Sequence, residues 1–346
     1  MLAGKAMSSR PARILFAIGS DEPAGTTKDG RPTFAGCTDL HRLFDKRDPI
    51  HVMTLNRQML SKSRRPELDP YDVVLNLVTD PDQNPKTLDS LKKLLRGYRG
   101  KVINRPDAVM RSTRDQMAKL LAGTPGLIVP KVIRLRHAKP DLAIAAIEKA
   151  GLKFPLIVRK AGTHTGMILG LFESADELRA AMTEPGEHIM TEFADFRSAD
   201  GVYRKYRAFF IGGKVIFRHM LASDNWNIHA KDRLRFMIEQ QALLDEEAAM
   251  FDRADGVFPP SVTATLEAIR DRVPLDYFGM DFGIARDGRV VLFEANPTMN
   301  FFPFLADPRL DHVRRCLKPA VAAFHEMIGC FRPGPSASDD MLEAAS

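Results

Sequence analysis

The chain has 346 residues, 45% of them apolar and 27% charged. That length leaves room for two or three domains with a substantial core. The balance excludes a wholly disordered chain and a coiled coil, and no uncharged apolar run approaches the ~18 residues of a membrane-spanning helix. The net charge of +6 suits either a solvated basic surface or an anionic small ligand gathered by arginines. It does not point to nucleic acid, because there is no lysine-rich tail, zinc-finger spacing or aromatic–basic motif.

Residues 1–11 are small, polar and basic, and 331–346 is Pro/Ser/Asp-rich. Both are expected to be disordered. Arg13–Ile18 reads as a short buried strand and not as the apolar core of a signal peptide. Cys37, Cys316 and Cys330 are few, odd in number and scattered, which fits reduced thiols in a cytoplasmic protein. Tyr71–Val78 is a second, β-branched strand. Pro85–Tyr98 is an amphipathic helix with Leu88, Leu91, Leu94 and Leu95 on one face, and Lys101–Asn104 is a further strand. This alternation predicts a parallel α/β domain over 12–103.

A central lobe is predicted over 104–190. Ser112 with Asp115 reads as a capping box opening a helix. Ile128–Ile133 is a strand and Asp141–Ala150 a helix stopped by Gly151. Phe154–Arg159 is a strand running into the loop AGTHTG, Ser174 and Glu177 cap a short helix, and His188–Phe193 is another strand. A sheet-rich lobe follows over 191–330. Arg204–Ile211 and Lys214–His219 flank Gly212-Gly213, a hairpin signal. Helical stretches come near 235–252 and 261–272. Phe278–Ala285 and Val290–Asn296 form a second hairpin, and a last helix over about 308–329 is expected to kink at Pro319.

The second hairpin carries the most chemistry. A type I′ turn at Asp287-Gly288 places Asp281 directly opposite Glu294, with Cβ atoms ~5 Å apart. Asn296 lies on the same face, while Phe282, Ile284, Val291 and Phe293 face the core. Two opposed carboxylates destabilise a sheet unless an arginine or a hard divalent cation lies between them. Asp, Glu and Asn oxygens with phosphate suit magnesium. At the end of the strand Phe154–Arg159, Arg159 and Lys160 precede a glycine-punctuated loop whose backbone can approach phosphate. The spacing is neither that of a Walker loop nor G-x-G-x-x-G. Lys205 and Arg207 share one face of the basic hairpin, where a guanidinium suits a phosphoryl group.

In this order, the elements resemble the ATP-grasp superfamily. The similarity is greatest to the carboxylate–amine ligases grouped with glutathione synthetase, D-alanine–D-alanine ligase and the ribosomal-protein glutamate ligase. The motif-bearing match runs from about Asn104 to Pro303, and the step from Asp281 to Glu294 and Asn296 is its most specific part. The resemblance implies an α/β (α+β) fold of three subdomains, with ATP held between two α+β lobes. It implies that Asp281, Glu294 and Asn296 hold magnesium, with manganese as a substitute, bridging ATP phosphates. Arg159, where the family usually has lysine, would contact the α or β phosphate. Gly162, Thr163, His164 and Gly166 would form the lid. Glu192, Phe193 and Ala194 would be the adenine hinge, with Asp195 a candidate for the ribose. Arg207 would stabilise the transferring phosphoryl group. Lys205 stands where the family often has an acid and is a further nucleotide-site candidate. An expected lysine early in the linker helix is Gln116 here, with Arg111, Arg114 or Lys119 as substitutes.

The implied reaction is ATP-dependent formation of an amide or peptide bond through an acyl phosphate, from a small-molecule or peptide carboxylate and an amine acceptor. A kinase that stops at a phosphorylated hydroxyl and a noncatalytic ATP-binding module are the alternatives. The related ligases are often homodimers, and neither a membrane nor nucleic acid is an expected partner. The stretch 219–229 follows the basic hairpin. There, Arg218, His219, Asn227 and His229 are expected to help define an acceptor pocket, with His219 a candidate general base.

Overall fold

A computed structural model describes residues 12–26, 30, 32–44, 50–55, 66–136, 139–162, 168–183, 186–252 and 256–329. The two terminal stretches expected to be disordered lie outside these residues. The first sheet is parallel. It contains β1 (Ile14–Gly19), followed by the small hairpin β2 (Gly25–Thr26) and β3 (Pro32–Thr33), then β4 (Ile50–Leu55), β5 (Val73–Asn76) and β6 (Lys101–Ile103). The sheet order is β4-β1-β5-β6. β4 has no counterpart in the sequence reading, because its exposed His51 and Val52 weaken the apolar signal of an edge strand. Both faces of β5 are buried, as in sheets covered on two sides. Val74 packs with Leu88 and Leu91 of the helix Pro85–Leu94. Leu75 faces the other way and shares a core with Phe209, Tyr277 and Phe324 of the C-terminal lobe.

The sequence suggests one strand over 128–133, but the structure has two. β7 (Leu127–Ile128) adds to the C-terminal sheet, and β8 (Val132–Leu135) to the central one. Pro130 lies between them and has no N–H to continue a ladder. The central sheet is antiparallel in the order β10-β9-β11-β8, with β9 (Leu156–Lys160), β10 (Gly170–Phe172) and β11 (His188–Glu192). Ile144, Ile147 and Leu178, from its two helices, fill the core on one face.

The C-terminal sheet runs β13-β12-β14-β15-β7. Its long strands are β12 (Tyr203–Ile211), β13 (Lys214–Ser223), β14 (Tyr277–Ile284) and β15 (Val290–Asn296). Gly212 and Gly213 turn the first hairpin with φ of 55° and 85°, left-handed values that glycine adopts without strain. Residues 233–237 form a single π-helical stretch before the helix Gln241–Asp252. Pro319 does not kink a long helix. A 3-10 segment over Pro308–Cys316 gives way to the helix Leu317–Ile328, whose first turn accommodates the proline. Ser112 does not cap the linker helix either. Its hydroxyl donates to Val109 O, and the helix begins at Arg114.

Among the contacts that join the three bodies, two are built on single side chains with several partners. Asn104, fully buried with φ of 53°, pins the end of β6 to the start of β14. Its Nδ2 donates to Tyr277 O at 2.8 Å, and its Oδ1 accepts from the N–H groups of Asp276 and Tyr277, each at 3.0 Å. Arg134 on β8 reaches Asp82 of the first domain, Asp115 of the linker helix and Glu187 beside β11, at 2.9, 2.8 and 2.8 Å.

Asn104→Ala removes three buried hydrogen bonds, leaves their backbone partners unpaired and strains a left-handed position. Urea unfolding should show a loss of about 3–5 kcal/mol. A loss below about 1 kcal/mol would mean that the pin is not structural.

Candidate active site

Asp281 pairs with Glu294, as the sequence predicts, but by a different route. The turn is one residue longer than a two-residue loop requires. Ile284 faces Val290, with Gly288 N–H donating to Ala285 O and Ala285 N–H to Arg289 O. A bulge then makes Phe293 the extra residue of β15 and restores the register. Phe282 and Val291 are buried as expected. Ile284 and Phe293 are half-buried and pack against the same core; the Phe293 ring lies 4.6 Å from that of Phe196 and also lines a cleft.

Each opposed carboxylate has found an arginine. Arg207, across the ladder from Asp281 on β12, donates from Nε and Nη2 to its two oxygens at 2.6 and 2.8 Å, with Lys205 Nζ at 3.6 Å. Burial alone would raise the Asp281 pKa, but Arg207 and Lys205 outweigh it and hold the carboxyl at about 2. Glu294 is bonded to Arg114 at the start of the linker helix, which also donates to Phe293 O. Burial and the Asp281 charge push the Glu294 pKa upward, yet Arg114 and Arg159 leave it below the ordinary carboxylate value. Of the three substitutes for the missing lysine, Arg114 is therefore the one in the site. Arg111 and Lys119 are exposed.

Arg114, Lys205, Asp281 and Glu294 line a cleft between the central and C-terminal lobes, with Arg207 behind Asp281. Arg159 enters from β9. Its Nε has no hydrogen-bond partner, and burial together with Arg114 lowers its pKa to about 9. Glu192, Phe193 and Ala194 line the opposite end. The N–H groups of Glu192 and Phe193 bond Lys131 O and Pro155 O, and Glu192 Oε1 accepts from Lys153 N–H at 2.8 Å. The hinge therefore presents its remaining carboxylate oxygen and outward carbonyls. Trp226 closes the cleft edge-on to Phe193, with ring centroids 5.5 Å apart.

Other predicted residues are distributed differently. Asn227 and His229 line this cleft, together with Trp226 and Ile228 of the same segment. Arg218 and His219 line a separate cavity. Asp195 is exposed and accepts from Arg197 N–H in a local turn, away from the cleft. Gly162 and Asn296 line a small adjoining cavity that shares Arg114, Arg159 and Glu294 with the cleft. Gln83 of the first domain donates to Gly162 O at 2.8 Å. Thr163, His164 and Gly166 lie outside the described residues.

No family model matches the sequence, and a search of curated proteins finds no match. Among solved structures, VanG D-Ala:D-Ser ligase from Enterococcus faecalis is similar at a TM-score of 0.50. The identity is 12%, over 91% of this chain and all of that one. The chain has an ATP-grasp fold. D-alanine–D-alanine ligase from Bacillus anthracis is also similar, at a TM-score of 0.44 and 14% identity, over 91% of this chain and 99% of that one. These neighbours are ligases. Among the described residues, no helix is long and apolar enough to cross a membrane.

Within this ATP-grasp cleft the donor set fits magnesium brought by phosphate better than a bare ion. Asp281 and Glu294 supply hard oxygens, and Asn296 follows on the same strand, its Oδ1 accepting from Thr298 N–H. Among the described residues no three His, Cys, Asp or Glu side chains are grouped so that they could hold a metal ion by themselves. Two carboxylates face Arg114, Arg159, Lys205 and Arg207, a cationic surplus that favours a polyanion.

The depressed Asp281 pKa stabilises the folded state above the unfolded value of 3.8, and that contribution is lost as pH falls through about 2. Between pH 4 and 2, wild-type unfolding free energy should therefore fall by on the order of 2 kcal/mol more than that of Asp281→Asn. Parallel slopes in urea unfolding would rule out the ion pair.

Proposed function

We propose that this chain is an ATP-dependent carboxylate–amine ligase. One observation carries the reading. The opposed carboxylates Asp281 and Glu294, the unpartnered Arg159 and the hinge at Glu192 line a single cleft between two lobes of an ATP-grasp fold. The adenine would lie between the hinge and Trp226, and the phosphates would run past Arg159 and Arg114 toward Asn296. Arg114 would take the part of the missing linker-helix lysine. Asp281, Glu294 and Asn296 would hold magnesium, which neutralises phosphate charge as the phosphoryl group transfers.

A carboxylate oxygen attacks the γ-phosphorus, the bond to the β–γ bridging oxygen breaks and ADP leaves. An amine then attacks the acyl carbon, phosphate departs and the nitrogen loses a proton. Arg207, held by Asp281 in a fixed orientation, would face the charge on the transferring group. His219 is a poor general base at neutral pH. Burial and its cationic neighbours keep its imidazole neutral, with a pKa well below 6.5.

Trp226 is the chain's only tryptophan, so nucleotide binding has a built-in reporter. Adding Mg-ATP should change its emission saturably. Glu294→Gln should weaken that response tenfold or more, and Arg114→Ala should weaken it less. No response in the parent protein would refute the nucleotide site. With ATP, an acid and hydroxylamine present together, ADP and a hydroxamate should appear. A stable phosphorylated product in place of the hydroxamate would indicate a kinase.

A further inference from the structure

Arg207 joins two cavities. Its guanidinium holds Asp281 of the nucleotide cleft, and the same residue lines a second cavity of about 380 Å3, within the size range of small-molecule sites. Arg207, Arg218, His219 and Lys231 give its wall polar groups. Phe302, Phe304, Leu234 and Leu305 give it an apolar part, which Arg218 overlies at Phe304. Among the described residues no carboxylate side chain lines it.

Three details mark it as a binding site. Arg218 is 5% exposed, and its bonds go to carbonyls and not to an acid. It donates to Phe301 O at 2.9 Å and Pro303 O at 3.1 Å and lies 3.9 Å over the Phe304 ring. Its positive charge is therefore stacked on an aromatic face and not cancelled. His219 Nε2 is sealed from solvent with no hydrogen-bond partner, a cost that a ligand oxygen would relieve. Leu234 and Leu305, 53% and 43% exposed, belong to the apolar part. They are two of the five large apolar side chains exposed among the described residues.

We infer that this cavity takes the acid to be activated, and that the acid is a monocarboxylate with an aryl or branched aliphatic body and no charged amine. The inference rests on the ligase reading for its chemistry. The carboxylate would lie beside Arg207 and His219, within reach of the transferring phosphoryl group. The apolar body would cover Phe302, Phe304 and the two leucines. An ammonium group would meet cations and no carboxylate, which disfavours amino acids. Acetate would leave the apolar part empty, and a second carboxylate would lie among phenylalanines.

Calorimetric titration of the full chain with 3-phenylpropionate, phenylalanine, acetate and glutarate tests this without nucleotide. We expect 3-phenylpropionate to bind at least tenfold more tightly than the other three and to be the best acid for hydroxamate formation. Leu234→Ala with Leu305→Ala should weaken its binding by tenfold or more, in the range for lost apolar contact. Trp226 emission with Mg-ATP reports that this double variant is folded, since neither leucine lines the nucleotide cleft. Equal or tighter binding of phenylalanine, acetate or glutarate overturns the inference. So does undetectable binding of 3-phenylpropionate, or a double variant that binds it like the parent. If 3-phenylpropionate binds as expected but Mg-ATP leaves Trp226 unchanged, the ligase reading fails and the ligand class of the cavity stands.

Discussion

Asp281 and Glu294 are like charges placed on facing rungs of one ladder, and much of the site is arranged around that conflict. A sheet does not tolerate such a pair without compensation. The compensation arrives from two directions: Arg207 from the neighbouring strand and Arg114 from the linker helix. Each guanidinium is fixed in turn by the carboxylate it neutralises. The result is a pre-assembled array of alternating charge; in the proposed reaction it would exchange carboxylate–arginine contacts for carboxylate–metal and arginine–phosphate contacts. Neither arginine would have to enter from solvent.

That array explains why the lobes are built as they are. β12, β14 and β15 must be neighbours for Arg207, Asp281 and Glu294 to meet, and the sheet order provides this. The bulge at Phe293 keeps the two carboxylates opposed despite a longer turn. It also turns an aromatic ring toward the cleft. The same strand therefore supplies both a carboxylate and part of the apolar wall of the cleft.

The hairpin pairing was legible because alternation of apolar residues constrains register strongly. The turn type was not, and a second local irregularity offset the difference. The strands that carry Arg159, Glu192 and Lys205 are readable from their apolar runs, whereas the parts expected of Arg159 and Glu192 come only from the family resemblance; all three residues line the cleft. That Trp226, Asn227 and His229 line the same cleft as Arg159 was not readable, because an irregular segment after a strand carries no periodicity to say where it lies. The choice of Arg114 over Arg111 and Lys119 needed three dimensions, since all three lie within one short segment. The division at Pro130 was readable in principle, because proline in an apolar run argues against a continuous strand. Asp195 illustrates a limit of local pattern. An aspartate two residues before an N–H readily bonds its own turn, and here it does.

The two inter-body contacts differ in kind. Asn104 ties the first domain to the C-terminal lobe through buried, uncharged hydrogen bonds beside a shared apolar core. Arg134 ties the central lobe to Asp82 of the first domain and Asp115 of the linker helix through charge, and Gln83 adds a neutral contact at Gly162. Arg134, Asp82 and Asp115 are themselves largely buried, so dissolved salt screens them far less than it would a surface pair. The junction at Arg134 is thus built to keep its grip across the ordinary range of ionic strength.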